Sequence, residues 1–142
     1  MGRQSTEPTF IGCELLVIKN GRILLGLRKN CFGAGTWGLP SGHLEFQERL
    51  IDCICREAKE ELGADIQPTD LRLATIVDLV RQGEEHHVHF GFELLNPSWE
   101  PKNMESERCT EWRYFSLNKL PKVLHTHLPI IENYRSKQLY AL

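Results

Sequence analysis

The apolar positions mark out the elements before any chemistry is considered. Residues 10–18 are mostly apolar with β-branched members. Lys19-Asn20-Gly21-Arg22 then supplies a polar Asn-Gly turn, and an apolar run resumes at Ile23-Leu24-Leu25-Gly26-Leu27-Arg28, a pattern that predicts a β-hairpin. The glycine-rich stretch 30–38 predicts a loop whose backbone can turn freely and approach a ligand closely. Over residues 49–62, Ile51, Ile54, Cys55, Ala58 and Leu62 recur at helical spacing, and Gly63 stands where a C-terminal cap is needed, so an amphipathic helix is expected. Residues 71–80 and 88–95 read as a second hairpin around a polar loop containing Gly83, Glu84 and Glu85. A long surface loop over 96–110, a short strand over 112–115 and a second helix over 126–140, with Pro129 in its first turn, complete the expectation.

No repeat or linker divides the chain, which is expected to form one domain over residues 9–142 behind a flexible start at 1–8. Composition supports this. With 142 residues, 41% of them hydrophobic and 25% charged, the chain can build its own core without disulfides or a structural metal. Apolar runs fall far short of the roughly 20 residues that cross a bilayer, so no membrane association is expected. Met1 to Thr6 match the loose N-myristoylation pattern, but one acyl chain anchors only marginally and a frayed terminus is the simpler reading.

A net charge of -2 provides no field to draw the protein onto a nucleic acid polymer. Five cysteines with no C-x-x-C pair, and no apolar segment ahead of them, fit a reducing cytoplasm. Cys53 and Cys55 are expected to be packed thiols.

Glu57, Glu60 and Glu61 fall within about a 100° arc of the first helix, beside its apolar face. Like charges at such spacings repel, and a neighbouring core raises the cost by lowering the local dielectric. Arg56 and Lys59 could pair them on a solvated face. A cation held by carboxylate oxygens is the other solution, and Mg²⁺ so bound keeps positions open for water and phosphate.

The order of the surrounding residues decides between the two. Gly42, Glu48 after five residues, and seven residues later Arg56-Glu57-Ala58-Lys59-Glu60-Glu61-Leu62-Gly63-Ala64 resemble the Nudix box, G-x5-E-x7-R-E-U-x-E-E-x-G-U with U aliphatic. Ala58 and Ala64 fill both U positions with a small residue, Ser41 stands where many members have glycine, and Gln47 stands where glycine commonly precedes the first box glutamate. The likeness extends to Gly33-Ala34-Gly35 with Leu39-Pro40-Ser41-Gly42-His43-Leu44-Glu45-Phe46, and to residues 100–109 followed by Trp112, both similar to the MutT-like nucleoside triphosphate diphosphatases.

The resemblance implies an α+β fold, the Nudix-type α/β/α sandwich with a mixed central sheet, and Mg²⁺-dependent hydrolysis of nucleoside triphosphates to monophosphate and pyrophosphate, with Mn²⁺ able to substitute. Oxidised or non-standard dNTPs are one substrate class in this branch and dihydroneopterin triphosphate another, while nucleoside diphosphate sugars belong to a more distant one. By the same likeness Glu57 and Glu61 are primary metal ligands, with the Ser41 carbonyl and Glu105 as further ones. Glu60 completes the cluster or accepts the proton from water, Arg56 orients the glutamates, and Glu48 stands at the helix start. Arg28 and His43 are candidates for phosphate contact, and Phe32, Trp37, His87 and His89 for the base, with Trp37 equally suited to plugging the core. His86, His87 and His89 lack the partners of a metal site. The expected partner is a small nucleotide, and a homodimer is compatible with the family. A catalytically silent nucleotide-binding domain is the reading of another class, and the presence of all four box glutamates speaks against it. RNA cap hydrolysis would call for a basic surface that the charge balance lacks.

Overall fold

A computed structural model describes residues 7–80 and 83–141. Strands β1 (Thr9–Leu16), β2 (Ile18–Lys19), β3 (Arg22–Arg28), β4 (Trp37–Gly38) and β5 (Ser41–His43) precede helix α1 (Leu50–Leu62). A single 3-10 turn (Pro68–Asp70) leads into β6 (Leu71–Leu79) and β7 (His86–Leu94), and β8 (Cys109–Ser116) and helix α2 (Leu128–Arg135) follow. The strands form two sheets: β5-β1-β7-β6, mixed because β1 and β7 run parallel, and β2-β3-β4 with β8 alongside β3.

The first expected hairpin is only partly formed. Asn20 and Gly21 adopt the positive φ values, 51° and 73°, that a tight two-residue turn requires. Yet only Ile18 and Lys19 pair with β3, while β1 leaves for the other sheet and lies along β7 from Thr9↔His86 to Leu16↔Glu93. The reason is burial. Residues 12–17 lie in an apolar stretch covered on both faces, and such a run does not encode its hydrogen-bonding partner. Other boundaries shift as well. The glycine loop contains β4, His86 and His87 begin a strand, β8 is longer than residues 112–115, and α2 ends at Arg135. Beyond it the chain turns back to the edge of β6, where Leu139 O accepts the Ile76 N–H at 2.7 Å. Residues 1–6, with the acylation pattern, lie outside the described residues. Among the described residues no helix is long and apolar enough to cross a membrane.

Because side chains alternate along a strand, β1 feeds two cores. Cys13, Leu15 and Val17 meet Ile54, Ala58 and Leu62 of α1, while Leu16 meets Leu39, Ile130 and Ile131 on the α2 side. The buried stripe of α1 is Cys53, Ile54, Glu57, Ala58 and Leu62, whereas Ile51 and Cys55 are only half-buried, so the helix is rotated from its expected apolar face and carries one glutamate inward. Gly63, at φ 66°, ends it in the left-handed conformation, its N–H on the Lys59 carbonyl at 3.0 Å. Cys13, Cys53 and Cys109 are buried free thiols, and burial pushes Cys109 up to about 11.

Helix α2 sits directly on β7 at Gly91, where a Cβ would lie 2.8 Å from Ile130 Cγ2 and 2.9 Å from Thr75 Cγ2. Gly91→Ala should therefore destabilise the fold by about 1–3 kcal/mol, the usual cost of overpacking. Urea unfolding would show this as a lower midpoint with an unchanged slope, and an unaltered midpoint would contradict the packing described.

Candidate active site

Helix α1 crosses β5 at Gly42, and this crossing builds the site. A Cβ on Gly42 would lie 2.0 Å from both Cδ and Oε1 of Glu57, so only glycine lets the Glu57 carboxylate reach the sheet. One turn further on, Glu61 Oε2 accepts the Ser41 backbone N–H at 3.1 Å. The loop after β7 delivers a third acid. Lys102 and Met104 donate their N–H groups to the carbonyls of Leu62 and Glu61 at 3.0 and 3.2 Å, satisfying the open end of α1 and setting Glu105 beside the glutamates.

Arg56 binds the acids into one assembly. Its Nε and Nη2 donate to the two carboxylate oxygens of Glu48 at 2.7 and 3.0 Å, and Nη1 reaches Glu57 Oε1 at 2.7 Å and Glu60 Oε2 at 3.3 Å. A further bond from Nη2 to the His43 carbonyl, 3.3 Å, fastens the helix to β5. The arginine hydrogen bonds hold Glu48 down to about 2. Burial pushes Glu57 above the ordinary carboxylate range, and Glu61 well above it, despite the bonds each accepts. One buried and one half-buried acid that resist ionisation, beside a third, call for a positive charge. Their oxygens, with the Ser41 carbonyl, are the hard donors that suit Mg²⁺ or Mn²⁺. Among the described residues no three such side chains are already gathered around one point, since Glu57 faces Arg56 and Glu61 faces Ser41.

A cavity of about 1050 Å³ opens from these carboxylates, enough for a nucleotide. Its walls include Glu57, Glu60, Glu61 and Glu105, and also Arg28, Arg108, His43, His87 and the exposed Phe32. Burial, then the neighbouring imidazoles His87 and His89, lower the pKa of His43. Three candidates stand apart. Arg56 and Glu48 are not among the residues that line this cavity. Trp37 does not line it either. It packs edge-on against Phe115, ring centroids 4.6 Å apart, under the Arg113 guanidinium, and so plugs the core of the second sheet.

The inner wall holds residues the sequence reading passed over. Glu14 and His127 are buried, and both line the cavity with His89. Burial raises the pKa of Glu14 and lowers that of His127 well below the ordinary imidazole value. The available signal was a lone acid inside the apolar run Cys13-Glu14-Leu15-Leu16, which a strand interior does not carry without a partner.

The departures from the box can now be judged. Ser41 sits in β5 outside the positive-φ region, so serine costs the backbone nothing there. Gln47 has φ 65°, a conformation that favours glycine, and it is exposed. Ala58 and Ala64 are buried in the core against β1.

Gln47→Gly should raise stability by up to about 1 kcal/mol, read as a higher urea midpoint, because left-handed strain is relieved at an exposed site that makes no core contact. Gly42→Ala should leave the far-UV circular dichroism spectrum native while weakening Mn²⁺ binding at least tenfold by calorimetry, because its methyl takes the place of the Glu57 carboxylate. Native affinity in that variant would remove Glu57 from the site.

Comparison with known proteins fits this geometry. The NUDIX domain model matches residues 12–134. An ADP-ribose pyrophosphatase of Methanocaldococcus jannaschii is 32% identical over 124 residues, covering 87% of this chain and 72% of that protein. An oxidized purine nucleoside triphosphate hydrolase of Danio rerio is 32% identical over 108 residues, covering 75% of this chain and 66% of its own. The crystal structure of a MutT NUDIX hydrolase from Burkholderia pseudomallei superposes with a TM-score of 0.80 at 33% identity, covering 89% of this chain and 98% of that one. The domain match spans most of the chain and agrees with the α+β sandwich described above, and the chain belongs to the Nudix hydrolase family.

Proposed function

We propose that this chain is a divalent-cation-dependent pyrophosphohydrolase whose substrate is a nucleoside triphosphate, cleaved to nucleoside monophosphate and pyrophosphate. The observation that carries the reading is the composition of the cavity, in which the α1 carboxylates share one space with two arginines and a wall of imidazoles. Carboxylates alone would repel a polyphosphate. With a cation between them the same wall attracts it, and Arg28 and Arg108 supply further positive charge for the phosphate oxygens.

Glu57, Glu61, Glu105 and the Ser41 carbonyl would hold the cation. The chemistry a cation would supply there is neutralisation of diphosphate charge, which would favour attack of water at phosphorus. Arg56 keeps Glu57 in place through its 2.7 Å bond while drawing on Glu48 as its own anchor, so Glu48 acts on the site through the arginine. Glu60 is exposed, and its carboxylate is held by Arg56 at the longer distance of 3.3 Å. It is the group best placed to take the proton from the attacking water at its Oε atoms. The relatives named for ADP-ribose and for oxidised purine nucleotides favour nucleotide substrates, and the first favours a second reading in which the diphosphate joins a nucleoside to a sugar. We also infer that residues 9–142 act as one domain, because β1 contributes to both cores.

Incubation with Mg²⁺ and a panel of triphosphates and diphosphate sugars distinguishes the readings by product. Pyrophosphate release from a triphosphate supports the first, two monophosphates from ADP-ribose support the second, and orthophosphate alone contradicts both. Glu61→Gln should cost at least about 10³-fold in rate with little change in melting temperature, since the amide keeps an oxygen to accept the Ser41 N–H. Chelation by EDTA should abolish turnover, and added Mn²⁺ should restore it. An unaltered rate in Glu61→Gln would remove the metal assignment.

A further inference from the structure

Strand β8 starts irregularly, beside the loop that carries Glu105. Gly26 pairs with Trp112 and Arg28 with Cys109, so the single residue Leu27 of β3 faces two residues of β8, Thr110 and Glu111. This is a β-bulge, and a bulge takes carbonyls out of the ladder that must then find other donors. Asn103 supplies them. Its Nδ2 donates to the Cys109 carbonyl at 2.9 Å and to the Thr110 carbonyl at 3.4 Å, while the Glu111 carbonyl accepts the Cys109 thiol at 3.3 Å. Both partners of the Asn103 side chain only accept, which fixes its amide with the NH₂ group toward the bulge.

Glu105 follows two residues later and is held from both sides. Behind it, its own carbonyl accepts the N–H groups of Arg108 and Cys109, each at 3.0 Å. The chain there is tied to the glycine loop as well, by Asn30 Nδ2 to the Glu107 carbonyl at 3.0 Å and by the Lys29 N–H to the Arg108 carbonyl at 3.0 Å. Ahead of Glu105, the bonds from Lys102 and Met104 run to α1, and the Asn103 amide joins the same segment to β8. The segment thus bridges the helix that carries Glu57 and Glu61 and the strand beside it. Glu105 lines the cavity with these two acids, close enough that its charge adds to the rise in both.

We infer that Asn103 is a positioning residue of the cation site: by pinning the segment ahead of Glu105 to the bulge of β8, it keeps that carboxylate on the wall it shares with Glu57 and Glu61, where the three can serve one cation. An acid on a free loop must be ordered each time a cation binds, and the entropy lost comes off the affinity. The amide does this ordering beforehand. It acts through Glu105 and reaches neither cation nor substrate itself. The inference rests on the reading above in which Glu105 is a ligand, and it concerns how the chain builds that ligand's place. Asn103 is exposed, so its truncation opens no cavity in the core.

The test is a double-mutant cycle read by calorimetric titration of the metal-free protein with Mn²⁺, using the wild type, Asn103→Ala, Glu105→Gln and the two combined. Asn103→Ala should weaken Mn²⁺ binding about threefold to tenfold, the range that one net hydrogen bond covers. In the Glu105→Gln background, where the ligand is already lost, the same change should alter affinity by less than about twofold. An equal loss in both backgrounds would mark a bond that only supports the fold and would overturn the inference, as would an unaltered affinity in the single variant. Asn103→Leu has a similar size and no donor, so it should match the alanine variant; native affinity there would show that volume alone was needed and would also overturn it. In turnover of a nucleoside triphosphate, half-saturating Mg²⁺ should rise by the same factor while kcat at saturating Mg²⁺ stays within about twofold of the wild type. A lower kcat with unaltered half-saturation would contradict the role. The two readings fail separately. Coupling in the Mn²⁺ cycle without hydrolysis of any nucleotide would uphold the positioning and refute the pyrophosphohydrolase, and hydrolysis with an additive cycle would do the reverse. Wild-type Mn²⁺ affinity in Glu105→Gln would remove the ligand and the inference together.

Discussion

The Arg56 guanidinium is the point on which the site depends. It touches four carboxylates, those of Glu45, Glu48, Glu57 and Glu60, at distances from 2.7 to 3.8 Å, and it also bonds the carbonyl of His43. A lysine could neutralise one of these acids as a point charge. Only the planar fork of arginine can bind both oxygens of Glu48 from one side while presenting a separate N–H to Glu57. Without that cation the helix would bring like charges against a sheet edge with nothing to offset either their repulsion or their loss of water. The glutamates can stand together on α1 because Arg56 precedes them, and Arg56 is held because Glu48 lies at the start of the same helix.

Glycine has the complementary role. At Gly42, Gly12 and Gly91 a methyl group would fall within 3.0 Å of a neighbour, and the neighbour differs each time: a carboxylate, an acid–imidazole pair, and a helix. The sheet is thus pared back at three places on its two faces so that different partners can approach its backbone. Positive φ is not the reason at any of them, since none of the three has it. What is needed there is the absence of a side chain, a packing requirement that composition does not reveal.

Legibility followed this distinction. The α1 helix and its acids could be read because spacing along a helix is spacing in space, so Glu57, Glu60 and Glu61 had to be neighbours wherever the helix docked. The sandwich followed from the family resemblance. The pairing of β1 did not, because a strand buried on both faces is satisfied equally well by either sheet, and the strong Asn20-Gly21 signal fixed only the two residue pairs next to the turn. Trp37 was ambiguous for a related reason. An aromatic among glycines suits a ligand wall and a core alike, and only the position of Phe115, far away in sequence, decides between them. His127 could not have been placed at all, since its role depends on a backbone N–H 88 residues away.

Glu14 was the readable clue that went unread, and its position explains how one strand serves two different walls. Along β1, Cys13 and Leu15 face α1, where the cluster of glutamates is mounted, while Gly12 and Glu14 face the opposite side. Adjacent residues of one strand therefore serve opposite walls, and a one-residue slip in register would exchange them. The parallel pairing of β1 with β7 along eight residues, with leucines buried on both faces, makes such a slip prohibitive. That wall of the cavity can then tolerate groups that destabilise it, an acid and two imidazoles where a core would place leucines, because its geometry is imposed by a strand whose other face is packed against α1.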